Sequence, residues 1–96
     1  MFVRLAMFEV RPEAVEDFIG ATLGHVASSR SEKGISRFEF YRGEEPNHYL
    51  LFIQFESEEA RSLHFETEHI KQWRSRILPL LAKPIGLSTY FPIEQP

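Results

Sequence analysis

Two hydrophobic rhythms alternate along the chain. Phe2 to Val10 places Phe2, Ala6 and Phe8 on one face and Val3, Leu5 and Met7 on the other, which predicts a strand closed by the Arg11-Pro12 step. Pro12 suits a first helical turn, and Glu13, Glu16 and Asp17 suit the positive end of a helix dipole. Val15, Phe18, Ile19, Thr22, Leu23 and Val26 then recur at helical spacing, predicting an amphipathic helix to about Arg30. Gly20 and Gly24 form a GxxxG pattern in it, read as close packing on a sheet. Ile35–Arg42 and His48–Glu56 return to strand patterning around the turn cluster Gly43–Asn47. Ser57 caps a second helical region, and Thr67-Glu68 is a second start signal, so this region divides near 64–67. Ile70, Trp73 and Ile77 form the stripe of the second piece, which ends near Pro79, and Pro84–Ile93 is a fourth strand before a tail at 94–96.

The order is β-α-β-β-α-β: a ferredoxin-like α+β domain over residues 1–96, with a four-stranded antiparallel sheet and its helices on one face. The third strand also has two apolar faces, Leu50 and Phe52 opposing Tyr49, Leu51, Ile53 and Phe55. A half-solvated strand alternates apolar with polar, so both faces of this sheet need cover. Two helices cover one face, and a second copy related by a two-fold axis is the simplest cover for the other, so a homodimer is expected.

Composition narrows the function classes. The chain has 96 residues, 43% of them hydrophobic and 26% charged, enough for one folded core and no second module. A net charge of -3 with interspersed signs leaves no footprint for nucleic acid or an anionic membrane. The absence of cysteine excludes disulfides, thiolate nucleophiles and Cys-based zinc sites. No apolar run approaches the length of a membrane span or a signal peptide, and a cytoplasmic location is expected.

No P-loop, GxSxG or GxGxxG is present, so candidate chemistry rests on four histidines, the aromatics and a few mid-strand charges. His64, one turn after Ala60, lies on the helix side that faces the sheet, either bonded to a backbone carbonyl or serving as a general acid/base in an apolar cavity. His69 and Trp73, four apart, are expected to touch, as core packing or as a ligand wall. His25 reads as a rim residue with a surface role, and His48 as exposed. His64 and His69 are five apart, which puts them on different faces of a continuous helix, so no metal site is expected. Arg4 and Arg37 sit mid-strand, either pairing with Glu9, Glu39 or Glu56 or forming a cationic patch for an anionic ligand. Nine phenylalanines suit both a core and a cavity for a flat apolar substrate.

The stretches "SEKGISRFEFYR" and "FESEEARSLHFETEHIKQW", with Ala60, His64, His69 and the following aromatic at matching spacing, give the chain its family likeness. From about Phe2 to Phe91 it resembles the antibiotic biosynthesis monooxygenase domain of the dimeric α+β barrel superfamily. That resemblance implies a homodimer with sheets face to face and a cavity between sheet and helices in each subunit. It also implies oxygenase chemistry on a small aromatic or quinol substrate with no metal, flavin or other cofactor. His64 and His69 would be the catalytic groups, with Trp73, Phe40, Phe52, Phe65 and Arg37 binding substrate. One departure stands out: many members carry a glutamate in the third strand where this chain has Ile53. Similarity also extends to an isomerase of a phosphorylated dione, which needs a cation such as Arg4, Arg37 or Lys83 in the cavity of His64. A non-catalytic ligand-binding dimer is the third reading, with a cavity that holds no titratable group.

Overall fold

Residues 1–96, all described by a computed structural model, form β1 (Phe2–Glu9), α1 (Val15–Arg30), β2 (Ile35–Arg42), β3 (His48–Phe55), α2 (Glu58–Glu66), α3 (Glu68–Ile77) and β4 (Gly86–Tyr90). The strands pair antiparallel in the order β2-β3-β1-β4, the ferredoxin-like arrangement that the pattern predicts. The division of the second helical region falls at Thr67, where the start signal stands. The last strand is shorter than the expected 84–93, because Pro84 and Pro92 have no N–H to extend the ladder on this edge. No helix is long and apolar enough to cross a membrane.

Pairing register sorts the two apolar faces. Phe2 lies opposite Phe55, Ala6 opposite Leu51 and Phe8 opposite Tyr49, while Phe38 meets Ile53 on the next strand. These eight side chains are all buried under the helices and form the core with Phe18, Val26, Ile70, Trp73 and Ile77. The opposite face carries Val3, Leu5, Met7, Leu50 and Phe52, with Tyr41 and Tyr90, and no element of the chain covers it. Met7 is 46% and Tyr90 57% exposed there.

Helix α1 is rotated from the orientation its apolar residues suggest. It buries Phe18, Ala21, Thr22, His25, Val26 and Ser29, and leaves Leu23 56% exposed. The partner explains the rotation: Trp73 stacks on His25 at 4.1 Å and donates its indole N–H to the Thr22 hydroxyl at 3.1 Å. Burying a large aromatic with its one polar group satisfied outweighs burial of one leucine. The expected packing of Gly20 and Gly24 on the sheet is corrected by the same rotation, since both are exposed and have open space at the Cβ position.

The loop after α1 is pinned at Gly34. Its φ is +89°, and a Cβ there would lie 2.6 Å from the Cβ of Ala60 on α2. Its carbonyl accepts the Glu56 N–H at 2.8 Å. Loop and helix therefore touch backbone to methyl, which requires a glycine facing an alanine. Gly34→Ala combines a left-handed backbone with a clash, and is expected to destabilise the fold by about 1–3 kcal/mol in urea titrations.

Candidate active site

The close approach at Gly34 brings the loop residue Glu32 against His64, one helical turn beyond Ala60. His64 is 1% exposed, and its Nδ1 lies 2.9 Å and 3.1 Å from the two Glu32 carboxylate oxygens. His69 reaches the same carboxylate from α3, with Nε2 2.6 Å from Oε2. Five residues on one continuous helix would point the two rings apart. Thr67 removes that restriction, because it adopts extended backbone (φ -68°, ψ 148°) between α2 and α3. Its hydroxyl donates to the His64 carbonyl at 2.8 Å and accepts from the Ile70 N–H at 3.4 Å, so a single cap residue ends one helix and starts the next. The premise behind the expected lack of metal ligands, two rings on different faces, is thereby corrected.

A third ring completes the cluster. His25 Nδ1 lies 3.0 Å from His69 Nδ1. The surface role expected for His25 is overturned: it is 3% exposed, and it, rather than His69, stacks on Trp73. With neutral rings the tautomers follow from the acceptor. A carboxylate only accepts, so His64 Nδ1 and His69 Nε2 carry protons and donate to Glu32. His69 Nδ1 is then an acceptor for the His25 Nδ1–H, and His64 Nε2 keeps a free lone pair with no protein partner. Burial lowers the His64 pKa and the Glu32 hydrogen bond opposes that shift. His25 is lowered further, to about 3, by burial first and then by the neighbouring imidazoles and Arg74.

His64 and His25 line a cavity of about 220 Å³ between sheet and helices, walled by Leu51, Ile53, Phe65, Trp73 and Leu87 among others. Ile53, at the position of the missing glutamate, supplies an apolar wall, and the nearby carboxylate comes instead from Glu32. Arg4 and Arg74 also line this cavity, each over the Phe65 ring, at 5.2 Å and 5.6 Å. The carboxylate pairing considered for Arg4 is not formed; burial lowers its pKa, and the positive charges of Arg61 and Arg74 add to the effect. A wider depression of about 420 Å³ beside Met7, Glu9, His48 and Lys83 contains none of the clustered imidazoles.

The cavity brings together His64, Trp73, Phe65 and Arg4 of the residues singled out from sequence. His69 stands behind Glu32 and is not on the cavity wall. Two placements are corrected by strand pleat. Phe52 lies on the uncovered face with Arg37 stacked on it at 4.6 Å, and Arg37 pairs there with Glu39. Phe40 is on the helix side but packs against Phe18 and Tyr49, away from the cavity. Glu32 is a loop carboxylate with no sequence signal of its own, although it lies within the "SEKGIS" stretch that carries the family likeness.

The sequence profile of the family described as "Antibiotic biosynthesis monooxygenase" matches residues 1–76. This chain belongs to that family. YcnE of Bacillus subtilis, provisionally named a monooxygenase, is 30% identical over 89 residues, covering 91% of this chain and 93% of YcnE. The uncharacterized protein sll1783 of Synechocystis is 32% identical over 83 residues, covering 85% of this chain. The match spans 56% of sll1783, little more than half of that relative. Among solved structures, an antibiotic biosynthesis monooxygenase family protein from Nitrosomonas europaea superimposes with a TM-score of 0.93, covering 98% of this chain and all of its own, at 24% identity. Rv0793 from Mycobacterium tuberculosis gives the same TM-score at 21% identity, covering 98% of this chain and 96% of Rv0793. At those identities the family fold is what is shared.

Proposed function

We propose that this family member is a cofactor-independent monooxygenase of a small quinol-type aromatic, with His64 as the general base. The observation that carries the reading is a single imidazole. His64 is almost fully buried, has Nδ1 committed to Glu32, and lines an apolar cavity with Nε2 unpartnered. In this reading Nε2 takes the phenolic proton, and the electron-rich anion reduces O₂ directly. One oxygen atom bonds to a ring carbon and the other leaves as water, so the quinol supplies all the electrons and becomes a hydroxyquinone. The protein contributes the base, orientation and a dry cavity. Glu32 holds the ring and its tautomer. His69 acts through Glu32, as a positioning residue.

Cavity size narrows the substrate. A cavity of about 150 Å³ in another protein accepts benzene, so about 220 Å³ suits one substituted ring better than a polycyclic phenol. The test is oxygen-electrode turnover with a panel of reduced single-ring quinols. Uptake well above the buffer rate is the expected result, and uptake at the buffer rate for the whole panel rejects the oxygenase reading.

One observation favours a second reading. Arg4 and Arg74 share the cavity with His64, as an isomerase of a small phosphorylated carbonyl compound would require. Deuterium exchange from solvent into such a compound, without oxygen uptake, would select it. For either reaction we propose a homodimer closed through the uncovered sheet face, with the small-molecule cavities on the far side. Sedimentation at micromolar concentration should give twice the chain mass; a clean monomer contradicts the dimer.

A further inference from the structure

The cluster behind the cavity wall offers more than base chemistry requires. Glu32, His64 and His69 come from a loop and two different helices, and their ligating atoms all lie within 4.8 Å of one another. We propose that the Glu32 carboxylate, His64 Nδ1 and His69 Nε2 form a binding site for a first-row divalent cation of the zinc type, which competes with the proton His64 holds. Two imidazoles and one carboxylate, without sulfur, match nitrogen- and oxygen-preferring ions such as Zn²⁺ and Co²⁺, and leave a fourth position for water. Ligand bonds of about 2.0–2.2 Å place donor atoms about 3–3.5 Å apart. The two nitrogens now lie 2.9 Å and 2.6 Å from Glu32 Oε2 and within 4.8 Å of each other, so each nitrogen–oxygen separation has to widen by less than an ångström while the two rings close on a common centre.

Access and the surrounding hydrogen bonds agree with this. The Glu32 and His69 side chains are 17% and 24% exposed while that of His64 is 1% exposed, so an ion can enter from the solvent side and come to rest against His64. A ligating imidazole usually donates its other N–H to a fixed acceptor. His69 meets this requirement through His25, whose Nδ1 is 3.0 Å from His69 Nδ1. On binding, the His69 proton moves to Nδ1 and His25 accepts it there, carrying its own proton on Nε2. The His64 proton likewise moves from Nδ1 to Nε2. That shift removes the free Nε2 lone pair that the base needs, so cation and base catalysis are alternatives at one ring.

Chelator-stripped, untagged protein titrated with Co²⁺ and followed by visible absorption tests this directly, with Zn²⁺ as competitor. The expected result is one Co²⁺ per chain, displaced by Zn²⁺. Loss of an outer-shell partner alone costs about 10–100-fold in affinity, so His69→Ala should weaken binding by at least about a hundredfold. His48→Ala should bind as the wild type does, although His48 pairs with Glu9 and Glu45 in the other His-Glu cluster. If His69→Ala does not fold, imidazole ¹⁵N spectra of the wild type decide: Zn²⁺ should move the His64 and His69 signals and leave His48 in place. Less than a tenth of an equivalent bound, equal affinity in a folded His69→Ala, or a Zn²⁺ response confined to His48 would overturn the site. Binding is read without turnover, so its failure leaves the oxygenase reading standing, and oxygenase failure leaves the cation site standing.

Discussion

His64→Ala is expected to lower kcat by about a hundredfold to ten-thousandfold, the usual contribution of a positioned general base, with the fold retained. The base is one lone pair on one buried ring, and no other cavity-lining residue offers an equivalent. His25 shares the wall, but burial lowers its pKa to about 3, which makes it a far weaker base, and its ring is stacked on Trp73. Glu32→Gln separates orientation from chemistry. The amide can donate to His64 Nδ1, which shifts the ring proton to Nε2 and blocks proton acceptance from the substrate. A kcat loss of at least about tenfold is expected, by analogy with tautomer control in catalytic triads. KM should change little, because Glu32 does not line the cavity. Steady-state oxygen uptake measures both constants. Equal loss in KM and kcat would place Glu32 in binding rather than orientation.

Phe18→Ala is expected to cost about 3–5 kcal/mol, as large-to-small aromatic changes in packed cores do. Phe18 is fully buried and meets Phe8 at 5.2 Å, Tyr49 at 5.4 Å and Phe40 at 5.9 Å, so its ring joins α1 to three strands at once. Whole domains are stable by about 5–15 kcal/mol, so this one change would remove much of the margin. Leu23→Ala, five residues further along the same helix and on another face, should stay within about 0.5 kcal/mol because Leu23 is 56% exposed. Urea unfolding of the pair reads out the rotation of α1. Comparable losses in both variants would mean that Leu23 faces inward after all.

The features legible in the sequence were local. Period-two runs located the strands, and the two-faced apolar pattern of β1 and β3 marked a sheet with one uncovered side. The Thr67-Glu68 start signal located the break between α2 and α3. What escaped depends on partners distant in the chain. The apolar stripe of α1 pointed Leu23 inward, yet the indole of Trp73 selected His25 and Thr22, 48 and 51 residues away in sequence. Glu32 gained its role only because Gly34 lies on Ala60, a contact that no periodicity encodes. Apolar character and charge suit Phe52 and Arg37 to a cavity but do not reveal which way a strand pleats, and one residue of register exchanges the faces. The helix break was visible, but its consequence, two histidines meeting at one carboxylate, required the angle between the helices.

The central claim is that Glu32 holds His64 with its proton on Nδ1 and a free lone pair on Nε2, facing the cavity. Imidazole ¹⁵N correlation spectroscopy of the metal-free protein at neutral pH reports that tautomer directly. The expected spectrum assigns His64 as a neutral ring protonated at Nδ1, and Glu32→Gln converts it to the Nε2–H form. A wild-type His64 carrying its proton on Nε2 would contradict the claim.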